Sequence, residues 1–355
     1  VKTAIVYDRV NKWGGAERVL LALQEIFPNA HLFTSVYNPP AAAWARVFPK
    51  VIPSFLQKIK FFRSRHELLA PLMPMAFESF NFDKYDLVIS VTSEAAKGVI
   101  TKPKTKHICY CLTPTRYLWS GYDDYFNNSF NKSVASLFVN YLRNWDLLGS
   151  KRPDKYLAIS KEVQKRIKKY YKQDSTVIFP PLKKNNNLKK VKLPFEEYYL
   201  VVSRLVLYKK VDLVIQTFNK LNQNLIIVGT GREEAKLKNM ANDNIIFMDY
   251  LKDEFLNYIY KKAKALIMPQ DEDFGLVSIE AQSMGTPVIA FKKGGSLDTI
   301  IDGKTGIFFD KQTSSSLMGA IDRFEKMKFD NNYIVKNANK FAFENFKKRL
   351  LLEIK

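Results

Sequence analysis

Residues 265–285 read Ala265-Leu266-Ile267-Met268-Pro269-Gln270-Asp271-Glu272-Asp273-Phe274-Gly275-Leu276-Val277-Ser278-Ile279-Glu280-Ala281-Gln282-Ser283-Met284-Gly285. The opening apolar run reads as a buried strand. The acidic stretch behind it cannot stay buried and must be a loop. Gly275 permits close backbone approach where a helical pattern begins, and Gly285 is a suitable stop after it. Strand, polar loop and helix are the repeating unit of an α/β fold.

The same unit recurs in both directions along the chain. Strands are expected before it at Thr3–Asp8, His31–Tyr37, Tyr85–Val91, His107–Leu112, Tyr156–Ser160 and Thr176–Phe179, with helical patterns such as Ala16–Phe27 between them. Around residue 265 they are expected at Tyr199–Ser203, Asn224–Val228, Ile245–Met248, Ala265–Pro269, Pro287–Phe291 and Gly306–Phe309. Between the two series lies Pro180-Pro181-Leu182-Lys183-Lys184-Asn185-Asn186-Asn187-Leu188-Lys189-Lys190, poor in apolar residues and rich in charge, which reads as an exposed connection. The expectation is two doubly wound, Rossmann-like domains, residues 1–182 and 183–330, facing across a cleft. A helical segment, 331–355, is free to pack back on the first domain. Ligands of such sheets bind at the carboxyl ends of the strands, so the chemistry belongs on strand-to-helix loops.

Composition narrows the function. The 355 residues carry a formal net charge of +21, with 46% hydrophobic and 14% aromatic residues, so the chain is globular and attracts something anionic. Residues 1–182 hold 27 Lys+Arg against 14 Asp+Glu, net +13, and are the more basic half. Cys109 and Cys111, the two cysteines, stand in an apolar strand and read as small buried hydrophobes, which rules out a disulfide framework. No secretory pattern opens the sequence and no apolar run is long enough to span a bilayer, so a cytoplasmic protein is expected, with any membrane contact peripheral.

Three loops carry chemistry. In the first, the backbone amides of Gly275, Leu276 and Val277 open a helix and form an anion-binding pole suited to a diphosphate. Glu272 in the loop and Glu280 in the helix are placed to accept from sugar and ribose hydroxyls. The second is Ser203-Arg204-Leu205-Val206-Leu207-Tyr208-Lys209-Lys210-Val211-Asp212, whose cations would neutralise a departing diphosphate. The third is Gly14-Gly15-Ala16-Glu17-Arg18, a glycine pair at a helix start; alone it reads equally as a tight turn.

Taken in order, these loops resemble the retaining glycosyltransferases of family 4, with the two-domain GT-B fold. The family's glycine pair, its Arg-Leu…Lys loop and its two glutamates separated by seven residues fall at Gly14 and Gly15, at Arg204 and Lys209, and at Glu272 and Glu280. The stretch Ile108-Cys109-Tyr110-Cys111-Leu112-Thr113-Pro114-Thr115-Arg116-Tyr117-Leu118-Trp119 resembles the GDP-mannose-dependent mannosyltransferases that build bacterial surface polysaccharides. The resemblance implies that Arg204 and Lys209 hold the donor diphosphate, Glu272 binds the sugar, Glu280 binds the ribose, and Phe274, Gly275 and Leu276 present backbone. It implies a nucleoside diphosphate sugar as donor, a saccharide or lipid-linked saccharide as acceptor, retention at the anomeric carbon, and no cofactor or metal. Two residues depart from the pattern. Lys210 stands where the family usually has glycine, and Leu112 where it has a histidine that reaches the donor sugar near its C6 hydroxyl. Leucine cannot serve a hydroxyl, which points to a 6-deoxyhexose or pentose donor, while an ordinary hexose stays the safer expectation because a neighbouring polar residue or water can serve that hydroxyl.

Parts of the sequence also fit other classes. Asp271-Glu272-Asp273 also reads as a divalent-metal signature, but the basic loop already supplies the positive charge. A nucleic-acid-binding protein suits the charge, though no nucleic-acid motif appears. An epimerase or sugar-nucleotide-binding protein would share the fold. Finally, Pro53–Arg65 reads as an amphipathic helix. Phe55, Leu56, Ile59 and Phe62 share one face, and Lys58, Lys60, Arg63 and Arg65 flank it, a pattern fit for an anionic membrane or for acceptor docking.

Overall fold

The computed structural model describes residues 1–58, 70–122, 129–183 and 187–354. They form two compact units: Val1–Phe179 together with Lys347–Lys355, and Pro180–Phe346.

The first unit is built on a seven-stranded parallel sheet, β1 (Thr3–Tyr7), β2 (His31–Thr34), β3 (Val51–Pro53), β4 (Leu87–Thr92), β5 (Lys106–Cys111), β6 (Lys155–Ala158) and β7 (Ser175–Val177), in the order β3-β2-β1-β4-β5-β6-β7. Strands β1 and β4 are buried along their whole length, as a sheet covered on both faces requires. Strand β3 has no counterpart in the sequence reading. It is three residues long, half-buried, and closes the sheet edge with Pro53, where a missing N–H costs nothing. Cys109 and Cys111 are both buried in β5 as free thiols.

The second unit repeats the plan with six parallel strands, β8 (Tyr199–Val202), β9 (Leu225–Val228), β10 (Ile245–Met248), β11 (Leu266–Met268), β12 (Val288–Phe291) and β13 (Gly306–Phe309), ordered β10-β9-β8-β11-β12-β13. One core, including Tyr199, Ile215, Phe218, Ile267, Phe309 and Ile321, fills one side of the sheet. A second, including Tyr198, Leu200, Ile226, Tyr260, Met268 and Val288, fills the other. In both sheets the order reverses once, between β1 and β4 and between β8 and β11, which marks the switch point where doubly wound sheets take ligands.

The connection begins firmly held: the Leu182 amide donates to Phe341 O at 2.7 Å. The 331–355 segment is two helices, Asn331–Ala338 and Phe343–Ile354, although no glycine or proline parts them. The break falls where Phe341 turns inward onto Phe274 and Ala342 pairs with Leu182, so tertiary contact overrides the helical pattern. The first of these helices belongs to the second unit, while Lys347–Lys355 belongs to the first. There Lys106 Nζ donates to Ile354 O at 2.7 Å and Lys155 pairs with Glu353 at 2.5 Å.

Of the Pro53–Arg65 segment, Pro53 ends β3 and Phe55–Lys58 forms a 3₁₀ turn that buries Leu56 and exposes Phe55. Lys60, Arg63 and Arg65 lie outside the described residues. Among those described, no helix is long and apolar enough to cross a membrane.

Candidate functional site

The two loops at the switch point of the second sheet follow β8 and β11. After β8, Ser203–Lys210 makes a short 3₁₀ turn at Leu207–Lys209 and enters the helix Val211–Phe218. Two glycines that sequence reasoning passed over shape it. A Cβ on Gly229 would sit 1.9 Å from Ser203 O, and one on Gly231 would sit 2.1 Å from Leu205 O. The β9 loop therefore lies against the backbone of the basic loop, and the Leu205 amide donates to Thr230 O at 2.9 Å. A Gly-x-Gly directly after an apolar strand was the available signal.

After β11, Gln270–Phe274 leads into the helix Leu276–Ser283, whose N-cap Gly275 is left-handed at φ +88°. That conformation, and Met268 Cε only 2.8 Å from where a Cβ would stand, explain the glycine. Phe274 is buried, its ring edge-on to Phe341 at 5.7 Å, so it anchors the loop and leaves only its backbone for a ligand. A second overlooked pair, Gly294 and Gly295, follows β12. Gly294 has φ +69° and forms a parallel bridge with Glu272, and the Gly295 amide donates to Glu272 O at 2.7 Å. A Cβ on Gly295 would lie 2.2 Å from Phe274 Cα, so this pair fixes the path of the acidic loop. Lys293 pairs with Asp271 at 3.3 Å.

These loops bring two sequence-predicted residues into direct contact. Lys209 Nζ and Glu272 Oε1 form an ion pair, and Gln270 Nε2 donates to the same oxygen at 2.8 Å. The side chains of Lys209 and Glu272 are 13% and 17% exposed, enough shielding to strengthen the attraction and enough access to exchange partners. Arg204 stays apart from that pair: it is exposed and donates from Nη2 to Tyr208 Oη at 2.6 Å. Glu280 is the fifth residue of its helix and accepts from Tyr260 Oη at 3.2 Å. Lys210, in place of glycine, keeps the left-handed turn at φ 53°, ψ 33° and caps the next helix. The turn survives the substitution, at a strain of about 1 kcal/mol. Gly285 is left-handed at φ +82° just past its helix, as a stop residue should be. Leu276 and Val277 supply the first amides of the helix, which lack intrahelical acceptors by construction.

The first unit treats its switch point differently. Gly14 caps the helix Gly15–Ile26 with φ −177°, extended backbone open to any residue, and Glu17 in its first turn is buried and accepts from Tyr7 Oη at 2.8 Å. The Asp8 carboxylate accepts from the amides of Ser93, Glu94, Ala95 and Ala96 at 2.7 to 3.0 Å. Lys97 and Asp146 form a buried ion pair at 2.5 Å, 1% and 2% exposed. Burial by itself would depress the Lys97 ammonium, but the Asp146 carboxylate outweighs it and holds the pKa above its ordinary value. Asp146 also accepts from Trp119 Nε1 at 2.7 Å and Thr115 Oγ1 at 3.0 Å. Thr115 and Trp119, within the 108–119 stretch that resembles the mannosyltransferases, are thereby tied to the helix Ser129–Gly149. Leu112 is half-buried, its amide donating to Thr92 O at 2.8 Å. Of the histidines, His31 Nδ1 lies 2.7 Å from Tyr85 Oη and His107 Nε2 2.9 Å from Ser90 Oγ, while His66 falls outside the described residues. Among the described residues no three His, Cys, Asp or Glu side chains gather as a metal-binding group.

Comparison with known proteins agrees with this architecture. Residues 183–341 match the family Glycosyl transferases group 1. An uncharacterized glycosyltransferase of Methanocaldococcus jannaschii is 28% identical over 161 residues, 42% of this chain and 41% of that protein. A GDP-mannose-dependent alpha-(1-6)-phosphatidylinositol monomannoside mannosyltransferase of Mycolicibacterium smegmatis is 30% identical over 138 residues, 34% of this chain and 36% of that protein. The chain thus spans less than half the length of these curated relatives. Among solved structures, Anabaena HepE in complex with UDP and glucose superposes with a TM-score of 0.71 at 17% identity, over 100% of this chain and 99% of that one. The chain has the GT-B glycosyltransferase fold, and its residues 183–341 carry the sequence of Glycosyl transferases group 1.

Proposed function

We propose that the protein is a retaining glycosyltransferase that moves a sugar from a nucleoside diphosphate donor, GDP-mannose by preference, to a lipid-linked or polysaccharide acceptor without a metal ion. The observation that carries this reading is the Lys209–Glu272 ion pair at the second switch point, with Gln270 on the same oxygen. A sugar-binding carboxylate and a phosphate-binding ammonium already lie side by side, so a donor's hexose and diphosphate can replace each as the other's partner. Arg204 and Lys210 add two further cations on the same loop, and the amides of Leu276 and Val277 add a helix dipole.

In the proposed reaction the bond from the anomeric carbon to the phosphate oxygen breaks, and the acceptor oxygen bonds to that carbon on the same face. The departing phosphate takes the acceptor's proton, and Arg204, Lys209 and Lys210 balance the charge it gains. Glu272 holds sugar hydroxyls and Glu280 the ribose. The GDP-mannose preference is supported by the 108–119 stretch and by the Mycolicibacterium relative. Leu112 supports a second reading, a donor lacking the C6 hydroxyl.

A thermal-shift screen of GDP, UDP, ADP and dTDP with their mannosyl, glucosyl, 6-deoxyhexosyl and pentosyl forms tests both readings. GDP and GDP-mannose should raise the melting temperature most, and turnover should persist in excess EDTA. Stabilisation by none of the nucleotides would sink the transferase reading, and activity restored only by magnesium or manganese would sink the metal-free mechanism.

A further inference from the structure

Leu207 and Tyr208, in the middle of the basic loop, face water and not a core: they are 55% and 37% exposed. The backbone puts them there. Arg204 O accepts from the Val206 amide at 3.0 Å and from Ser203 Oγ at 3.1 Å. The turn that follows is closed by the Lys209 amide on Val206 O at 3.0 Å and the Lys210 amide on Leu207 O at 3.1 Å. The chain is thus pinned from Ser203 to Lys210, while the cations of Arg204 and Lys209 sit on long stems that rotate unless something holds them.

One side chain holds both. Tyr208 Oη accepts from Arg204 Nη2 at 2.6 Å, and Lys209 Nζ lies 5.2 Å from the centre of the Tyr208 ring, within reach of a cation–π attraction. The phenol therefore keeps a guanidinium at its hydroxyl end and an ammonium at its face. Neither contact uses up its cation. Among the described residues no other group accepts from the Arg204 side chain, so its remaining N–H groups are available to an anion. Lys209 donates to Glu272, a bond that has to give way when a phosphate arrives, whereas the ring contact can persist.

We propose that Tyr208 is a positioning residue, which presents Arg204 and Lys209 together to the diphosphate of the donor. The proposal rests on the donor reading above and deepens it, by naming what keeps the two cations in place before and after Glu272 lets go. Holding them in advance spares the ligand the entropy of ordering two long side chains. The two arms are chemically separable. Phenylalanine at this position keeps the ring and frees the guanidinium, and leucine frees both cations.

The test is calorimetry of the full chain with inorganic pyrophosphate, repeated with GDP and with UDP. Tyr208→Phe should bind pyrophosphate about fivefold more weakly, as expected for one hydrogen bond to a charged group at an exposed site. Tyr208→Leu should lose about a further threefold with the ring. Double-mutant cycles isolate each arm. In an Arg204→Ala background, Tyr208→Phe should change the affinity by less than about 1.5-fold, and in a Lys209→Ala background Tyr208→Phe and Tyr208→Leu should agree to the same margin. A tyrosine that merely supported the loop would cost the same factor in every background, with a lowered melting temperature, and that result would overturn the proposal. Losses seen with pyrophosphate while neither nucleotide binds leave the role of Tyr208 standing and sink the donor reading. Nucleotide and pyrophosphate binding indifferent to Tyr208→Leu sinks the role and leaves the donor reading, and binding of none of the three sinks both.

Discussion

The two units build the same switch point and spend its charges in opposite ways. In the first, the polar groups beyond β1 and β4 are turned inward: Asp8 is saturated by four backbone amides, and Lys97 and Asp146 are sealed together at 1% and 2% exposure. In the second, Lys209 and Glu272 keep 13% and 17% exposure, and Arg204 stands in water. A charge whose partner is permanent serves architecture. A charge whose partner can be exchanged serves a ligand, because the energy of a new contact is not consumed in breaking a buried one. The difference predicts that substitutions in the first unit act on stability and those in the second on turnover.

The sharpest way to break that contrast is Lys97→Met. It strands the Asp146 carboxylate in the core and should lower stability by about 3–5 kcal/mol in urea unfolding. A loss under about 1 kcal/mol would mean that the buried pair behaves like a surface one. Next comes acid. Burial, helped by the Arg152 charge, pushes His107 down to about 3. In the unfolded chain it titrates near 6.5. Between those values the unfolded state holds the extra proton, so stability should fall as pH drops from about 6.5 toward 3, by up to about 5 kcal/mol. His107→Gln should flatten that slope. All three histidines lie in residues 1–179, so the histidine part of that slope belongs to the first unit.

Turnover comes third. Arg204→Ala and Glu272→Ala should each reduce it by about a hundredfold or more at saturating donor while leaving the melting temperature nearly unchanged. Near-wild-type turnover in both would dissolve the contrast from the other side. The smallest effect is expected at Lys210→Gly. Relief of the left-handed lysine should stabilise the fold by up to about 1 kcal/mol, while loss of one cation weakens donor binding by about fivefold, read by calorimetry.

Most of this architecture was legible before any coordinates. Among the described residues, twelve of the thirteen strands follow from apolar runs, because a parallel sheet buried on both faces leaves them little choice. Strand β3 escaped because three residues ending in proline give no period to detect. The acidic and basic loops were legible as strand-to-helix loops, since glycine, charge and helix start coincide there. What they touch was not. That Lys209 answers Glu272, 63 residues away, and that Gly295 braces Phe274 are matters of strand order, which residue patterns do not encode. The 108–119 stretch shows the opposite case, because Trp119 and Thr115 spend their hydrogen bonds on Asp146.

The returning tail, Lys347–Lys355, has a consequence for biosynthesis. A ribosome delivers the seven strands of the first sheet early, but the residues that dock on Lys106 and Lys155 emerge only after the entire second unit. The first unit thus waits, nearly assembled, through the translation of some half of the chain. Vectorial folding here runs first to a draft, then through the second unit, and only at the end back to completion of the first.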